Sequence, residues 1–222
     1  MEIYLVIIFI LIFNFLILFY FDRLSKISLF LDNPDGKLKK HRHPISLLGG
    51  LIILLNLYLI IFSFKLLNLD NLIFTGEFLY LVILLSTFFY IVGAVDDIKN
   101  LSPRLKLFFI TLSFLAVVFF FPDIKLELIK ITFLKKTYYF NNFSVIFLLF
   151  SFLLLSNAMN MFDGINLQLI FFSIFIFVVF IIKSFLPLFF LTLTISLLIL
   201  GVLNFKNKVF LGDGGCYLLS SI

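Results

Sequence analysis

Seven long runs of apolar residues constrain what the chain can fold into more than any other feature of the sequence. A helix of about 20 such residues crosses the hydrocarbon core of a bilayer. The runs lie at residues 3–21, 45–64, 78–95, 106–121, 143–160, 167–182 and 187–203, and an eighth begins near Cys216. The sequence therefore predicts an all-α, polytopic membrane helix bundle that forms a single multi-pass domain over residues 1–222.

The composition argues against the other fold classes. Hydrophobic residues make up 63% of the chain and charged residues 13%, whereas soluble domains have about 25% charged residues. Helices satisfy their own backbone hydrogen bonds in lipid. The strands of a membrane barrel would instead alternate apolar and polar residues over about 10 positions, and the runs do not alternate in this way.

Basic residues at the ends of the runs predict the orientation. Arg23 and Lys26 follow the first run, whereas only Met1 and Glu2 precede it, so this run differs from a cleavable signal peptide, in which positive charge comes first. The positive-inside rule places the N-terminus outside and the segment 22–44 in the cytoplasm. The net charge of +5 indicates affinity for anionic lipid or phosphate, and nothing in the sequence resembles a nucleic-acid-binding module.

Four polar segments, rich in glycines, carboxylates and amides, interrupt the apolar pattern. They lie at residues 32–50, 96–107, 157–166 and 204–215, in the first, third, fifth and seventh loops. Because successive spans alternate in direction, all four are expected at the same cytoplasmic face. An enzyme acting at the membrane surface needs this arrangement, whereas a transporter is expected to hold ionisable groups near the bilayer midplane. The segment 122–142 is predicted to be an ordinary connecting loop.

The second polar segment places two acids and a lysine at unfavourable helix ends. Asp96 and Asp97 end one predicted helix, where the helix dipole disfavours negative charge. Ser102 as N-cap and Pro103 as first residue predict the start of the next helix, which puts Lys106 in a first turn, where positive charge is disfavoured. Helix stability does not explain these residues, so they indicate a metal or phosphate site. The alternative is a pair of solvated loop acids.

The third and fourth segments add amides and a further acid. Asn157, Asn160, Asp163 and Asn166 recur every third residue, which keeps them near one face of a helix. The alternative for them is interhelical hydrogen bonding. Asp213 lies among glycines, whose backbone can approach a ligand closely or can form a simple tight turn.

The first segment is strongly basic. It contains Lys39, His41 and His43 among several other Lys and Arg residues. Such a cluster at the cytoplasmic interface attracts lipid phosphate, while positive-inside anchoring explains most of the lysines. The two histidines make a poor zinc site without further ligands.

Taken in order, the four segments resemble the polyprenyl-phosphate N-acetylhexosamine-1-phosphate transferase family, the WecA-like and MraY-like membrane enzymes. The family pattern KxHxxPxxxxGG is matched at residues 39–50, DDxxxLSPxxKL at 96–107, NxxNxxDG at 157–164 and VFLGDxG at 209–215. Four matches in the same order, in alternate loops, are far more specific than any one of them.

The resemblance implies transfer of an N-acetylhexosamine 1-phosphate from a UDP-sugar, such as UDP-GlcNAc, to polyprenyl (undecaprenyl) phosphate, with release of UMP. Such a reaction starts cell-envelope polysaccharide or O-antigen synthesis at the cytoplasmic face of the cell membrane. The implied cofactor is Mg²⁺, with Mn²⁺ as a substitute, bound by Asp213 and the amide oxygen of Asn160. Membrane lipids are further expected partners, and a homodimer is compatible with the resemblance.

The resemblance also implies roles for single residues. Lys106 holds a phosphate, and Asp96 or Asp97 positions or deprotonates the acceptor phosphate, with the division between the two left open. Asp163 completes the expected catalytic set as a residue that contacts the substrate or supports the site. Three further residues are expected to bind substrate: Lys39, His41 and Asn157.

Departures from the family pattern favour a WecA-like over an MraY-like assignment. The first loop has one more residue between Asp32 and His41 than the commonest spacing, Asn166 replaces a common aspartate, and Cys216 stands where serine is frequent. Family members continue through further spans and a cytoplasmic loop with an HxxH motif. We therefore expect the 222 residues to be a fragment of the predicted enzyme that lacks these parts.

Two other functions fit the same residues. A transporter or flippase-like protein for lipid-linked sugars would use the same phosphate-binding face, but its acids would line a transmembrane path. An inactive fragment that acts only as a scaffold is the third alternative.

Overall fold

A computed structural model describes residues 2–27, 31–34, 43–69, 76–140 and 143–222. Within these residues the chain forms eight helices and two small antiparallel sheets. The helices are α1 (Glu2–Ile27), α2 (Gly49–Leu66), α3 (Gly76–Lys99), α4 (Pro103–Phe120), α5 (Ser144–Phe162), α6 (Gln168–Ile182), α7 (Pro187–Phe205) and α8 (Gly212–Ser221). The strands are β1 (Leu31–Asp32) with β2 (Ile45–Ser46), and β3 (Leu128–Ile131) with β4 (Lys136–Tyr139).

All seven predicted apolar runs are helices, which confirms the all-α polytopic membrane bundle. Among the described residues, six helices are long and apolar enough to cross a membrane, namely α1 to α5 and α7. The remaining run forms α6, which has only 15 residues. At 1.5 Å per residue α6 is about 22 Å long, which is shorter than the ~30 Å hydrocarbon core.

The ends of the helices explain where the polar segments begin. Pro103 is the first residue of α4 and follows an extended Ser102, as predicted, although the Ser102 side chain makes no capping hydrogen bond. Proline suits this position because the first turn has no use for its missing N–H group. α3 continues through Asp96 and Asp97 to Lys99, so both acids lie in its last turns.

The centre of the bundle is formed by α2 and α7, with α8 packed beside them. In the spans of α2 and α7, 61% of the residues are buried, against 17% in α4 and 11% in α5. α8 contacts α2, α3 and α5 and is buried from Gly214 to Ser221. The outer helices instead expose large apolar side chains such as Phe119 and Phe175, and an apolar surface of this kind marks a region that contacts lipid.

Polar side chains buried among the spans satisfy one another. The side-chain amides of Asn14 and Asn56 donate to each other's oxygen atoms, with N–O distances of 2.6 and 3.1 Å. Ser196 adds a hydrogen bond of 2.9 Å to the Asn56 side-chain oxygen. These bonds join α1, α2 and α7, and such interhelical hydrogen bonds stabilise membrane bundles.

Two glycines allow the first turn of α8 to lie directly against its neighbours. A Cβ atom on Gly93 of α3 would come within 2.5 Å of the Gly214 Cα atom, and one on Gly50 of α2 would come within 2.8 Å of the Gly215 Cα atom. Any side chain at either position would therefore displace α8. The second glycine of the pair at the start of α2, Gly50, is thus explained by packing.

The segment between α4 and α5 contains a hairpin, so the prediction of an ordinary connecting loop was incomplete. β3 and β4 pair with Leu128 opposite Tyr139 and Ile131 opposite Lys136. Isoleucine and tyrosine favour strands, but four-residue strands are too short to give a clear alternating pattern in the sequence.

Candidate active site

One end of the bundle contains a cavity of about 1120 Å³ that receives residues from all four polar segments. The cavity lies at the C-terminal ends of α3, α5 and α7 and at the N-terminal end of α8. Its acidic side chains come from all four segments, which confirms that these segments converge; they are Asp32, Asp96, Asp97, Asp163 and Asp213. The amides that line it are Asn100, Asn160, Asn166, Asn204 and Asn207.

Lys106 links two of these acids. Its ammonium group forms an ion pair with Asp96 and lies 3.4 Å from the Oδ2 atom of Asp213. Asp96 is only 2% exposed, and its other carboxylate oxygen accepts a hydrogen bond of 2.8 Å from the Leu101 N–H group. The lysine in the first turn of α4 therefore neutralises buried negative charge at the end of α3. This explains why a cation occupies the less favourable end of a helix.

Asp97 points to a different partner from its neighbour Asp96. Its two carboxylate oxygens accept hydrogen bonds from the backbone N–H groups of Asp213 and Gly214, at 2.8 and 3.1 Å. These two N–H groups belong to the first turn of α8, where helix N–H groups have no partner inside the helix. The adjacent acids thus join α3 to two different helices.

Asn160 and Asp213 lie in contact, as expected for residues that share a ligand. The Asn160 side-chain nitrogen donates to the Oδ1 atom of Asp213. Rotating this amide by 180° would present its oxygen instead, because amide nitrogen and oxygen are nearly equivalent in shape. One carboxylate and one amide oxygen suit Mg²⁺, which takes few protein ligands and completes its shell with phosphate and water. Among the described residues no group of three or more His, Cys, Asp and Glu side chains is arranged to hold a metal.

Asp163 follows the last residue of α5 and lines the cavity. Burial raises the pKa of Asp163 to about 7, and the negative charge of Asp97 adds to this shift. The Cys216 thiol opposes the shift by donating to the Asp163 carboxylate, at 3.6 Å. Asp163 therefore binds a proton more readily than an ordinary aspartate does.

Asn204 lines the cavity and fixes two neighbouring segments, although the sequence analysis did not single it out. Its side-chain oxygen accepts from the Leu167 N–H group at 2.7 Å, and its side-chain nitrogen donates to the Val209 carbonyl at 2.8 Å. Asn204 is 4% exposed and joins the residue that follows the third polar segment to the fourth segment. An asparagine at the end of a long apolar helix was the signal available in the sequence.

Part of the first segment pairs with the fourth. The Phe210 N–H group donates to the Ser46 carbonyl at 2.8 Å, and the N–H groups of Gly49 and Gly50 donate to the carbonyls of Phe210 and Leu211, each at 3.1 Å. Asp32 and His43 also reach the cavity. The predicted substrate-binding residues Lys39 and His41 lie outside the described residues.

Asn157 differs from the other amides of its segment. It is exposed, does not line the cavity, and its side-chain nitrogen contacts the sulfur of Met161 at 3.9 Å. One turn of α5 separates it from Asn160, so the three-residue repeat brings together only Asn160, Asp163 and Asn166 at the cavity. A role for Asn157 in binding substrate stays a prediction.

The fold and the cavity together define a multi-pass membrane protein with a cluster of carboxylates and amides at the ends of its helices, two of whose acids pair with Lys106. Residues 79–222 match the model of glycosyl transferase family 4. This match covers more than half of the chain, and the chain therefore belongs to glycosyl transferase family 4, the family of the MraY-like and WecA-like polyprenyl-phosphate hexosamine-1-phosphate transferases. No curated protein matches the chain.

The family match contains three of the four polar segments, including every acid of the cavity except Asp32. It supports a glycosyl-1-phosphate transferase role in general. The recognition made from the sequence motifs is thereby confirmed at the level of the family.

Proposed function

We propose that the protein transfers an N-acetylhexosamine 1-phosphate from a UDP-sugar to polyprenyl phosphate. The observation that carries this proposal is a cluster of contacting side chains at the helix ends, formed by Asp96, Lys106, Asn160 and Asp213. A lipid headgroup and a water-soluble nucleotide can meet at this position. An oxygen of the acceptor phosphate forms a bond to the phosphorus that carries the sugar. The bond from this phosphorus to the UMP oxygen breaks, and UMP leaves.

Electrostatics is the main demand of this reaction. The two substrates together carry about four negative charges if their phosphates are nearly ionised. The cavity is itself lined with acidic side chains. Lys106 offsets part of this charge and is the residue that we assign to a substrate phosphate. Positioning and charge stabilisation dominate phosphoryl transfer in general.

A divalent cation fits the same cluster. Asp213 and the amide of Asn160 are the residues that would hold Mg²⁺, or Mn²⁺ in its place, because both offer the oxygen ligands that these ions prefer. When bound, the ion would neutralise phosphate charge. Asp163 lies on the same cavity and is assigned to contact with the substrate, together with Lys39, His41 and Asn157.

The proposed setting is the cytoplasmic face of the cell membrane, where the reaction would begin cell-envelope polysaccharide or O-antigen synthesis. Lys208 of the fourth segment pairs with Asp22 at the end of α1, at 2.6 Å. This pair supports the assignment of the end of α1 and the cavity to the same face, which the positive-inside rule places in the cytoplasm.

The test is a transfer assay with radiolabelled UDP-GlcNAc on membranes that contain the protein expressed from its complete reading frame. We expect label in the lipid phase and released UMP, both dependent on Mg²⁺ and on added polyprenyl phosphate. Lys125→Ala, an exposed change in the segment between α4 and α5, is the matched control and should transfer normally.

Further UDP-amino sugars are tested in the same assay. No label from any of them, with active control membranes, would overturn the proposal and favour a transporter of lipid-linked sugars or an inactive scaffold. The cavity lies at the helix ends and not along a path through the spans, which supports the transferase over the transporter.

A further inference from the structure

The first turn of α8 is capped by a side chain from another helix. The residue before α8 is Leu211, whose side chain offers no capping hydrogen bond. Asp97, at the end of α3, acts as the capping residue instead. Its carboxylate oxygens accept hydrogen bonds from the second and third N–H groups of α8. A capping side chain of the helix itself would accept from the same N–H groups. A negative charge is also favoured at this end of the helix dipole.

We propose that Asp97 is a positioning residue, which fixes the Asp213 carboxylate by capping α8, and that it is not the base that deprotonates the acceptor phosphate. This inference rests on the proposed function and divides the roles of the two adjacent acids. Asp213 is the second residue of α8, so the turn that Asp97 holds also sets the direction of the Asp213 side chain.

The surroundings of Asp97 leave it little freedom to do anything else. Each carboxylate oxygen is already engaged by a backbone N–H group that has no helical partner. A Cβ atom on Gly212 would come within 2.6 Å of the Asp97 Oδ2 atom, and Gly212 has a φ of +69°, in the region that favours glycine. The carboxylate therefore packs directly against the backbone of the turn. A proton taken up by Asp97 would remove the negative charge that strengthens these two hydrogen bonds and is favoured at the start of α8.

Lys106 remains for the phosphate chemistry. Asp96 contacts the Lys106 ammonium group, which also reaches Asp213. The capped helix end is itself occupied by Asp97, so it is not available as an anion site for a substrate phosphate. Substrate phosphates would instead meet Lys106 and the cation at Asp213.

The first experiment compares Asp97→Asn with Asp97→Ala in the transfer assay, over a series of Mg²⁺ concentrations. Asparagine keeps one acceptor oxygen for the α8 N–H groups, and alanine keeps none. We expect kcat to fall about 100-fold in Asp97→Ala, the typical effect of a small displacement of a reacting group, and to recover at least tenfold in Asp97→Asn. The Mg²⁺ concentration that gives half-maximal activity should rise in Asp97→Ala because Asp213 is misplaced.

A general base gives a different result. Neither asparagine nor alanine accepts a proton, so both variants would lose about the same activity, within the 10²- to 10⁴-fold range of general-base catalysis, and the Mg²⁺ requirement would not change. That pair of results would overturn the proposal. Gly212→Ala pushes on the same contact from the other side and should also raise the Mg²⁺ requirement.

A second measurement does not depend on activity. Hydrogen exchange of the amides of residues 212–216 in the purified full-length protein should be faster in Asp97→Ala than in the wild type. Asp123→Asn, which changes an exposed acid between α4 and α5, is the matched control and should leave this exchange unchanged. Unchanged exchange in Asp97→Ala would overturn the cap even if the wild type transferred no sugar phosphate. Absence of transfer by the wild type would instead overturn the proposed function.

Discussion

Two clusters of polar side chains in the described part of the bundle differ in whether their hydrogen bonds and charges are balanced. In the cluster of Asn14, Asn56 and Ser196, neutral groups donate hydrogen bonds to one another and to backbone carbonyls of their own helices. In the cluster at the cavity, the single Lys106 ammonium group pairs with both Asp96 and Asp213, and Asp97 lies next to them. The first cluster has a partner for every side-chain donor and carries no charge, whereas the second has excess negative charge facing an open space.

A polar residue within an apolar helix is therefore not by itself a sign of function. Asn56 and Asn160 both interrupt apolar spans, yet one joins helices and the other faces the cavity. The imbalance of charge distinguishes them, because a buried charge without a partner is costly unless a ligand supplies one. The following variants test the distinction.

Asp213→Asn should have the largest effect. It removes the carboxylate that Lys106 and Asn160 contact, and we expect transfer to fall about 10³-fold, the upper end for loss of a key electrostatic group. The protein should still be found in the membrane in normal amounts. The measurement is label transferred to lipid per amount of membrane protein. Activity near that of the wild type would contradict the assignment of the cavity.

Lys106→Ala should be the next most severe change. It leaves the buried Asp96 carboxylate without its ion-pair partner and removes the group assigned to a substrate phosphate, so we expect about a 10²-fold loss of transfer. Lys106→Arg keeps the charge and should retain more activity than Lys106→Ala in the same assay. Equal activity of the two variants would show that the charge is not what matters.

Asn204→Ala should have a moderate effect on activity. It releases the Leu167 N–H group and the Val209 carbonyl and so loosens two segments that line the cavity. We expect about a tenfold loss of transfer, because the reacting groups are displaced but still present. The assay should be made at saturating and at limiting UDP-sugar. An unchanged KM and kcat would separate this network from the site.

Asn56→Ala should affect stability more than activity. It removes the shared partner of Asn14 and Ser196, and we expect the bundle to lose about 1 kcal/mol, as for other interhelical hydrogen bonds in membranes. Thermal unfolding of the purified protein in detergent should occur at a lower temperature, while transfer well below that temperature should match the wild type. A loss of transfer as large as that of Lys106→Ala would break the distinction between the two clusters.

Much of the fold could be predicted because the lipid bilayer restricts which backbone structures are stable. Each apolar run had to be a helix in lipid, since no other local structure satisfies the backbone there. Alternation of the spans then brought the segments 96–107, 157–166 and 204–215 to one face, where the cavity lies. The β3–β4 hairpin was not predicted, because its four-residue strands have no strong periodic pattern of their own.

The contacts of the site could be predicted only in part. The motifs identified Asp96, Asp97, Lys106, Asn160, Asp163 and Asp213 as a set, and the structure brings these residues together. The different partners of Asp96 and Asp97 could not be predicted from their adjacent positions in the sequence. They depend on how α3 packs against α8, which lies more than 100 residues later in the chain. Asn204 was overlooked for a similar reason, since both of its partners lie in loops whose paths depend on the packed bundle.

The packing of α8 sets an order of events during biosynthesis. A chain is made from its N-terminus, so α2, α3 and α5 enter the membrane before the helix that fills the space between them exists. Until residues 212–214 are made, Asp97 has no N–H groups to accept from and Asn160 has no carboxylate to contact. The partly synthesised bundle therefore lacks the contacts that fix Asp97 and Asn160 until α8 is made. A chain that ended before residue 212 would leave the space between α2, α3 and α5 unfilled.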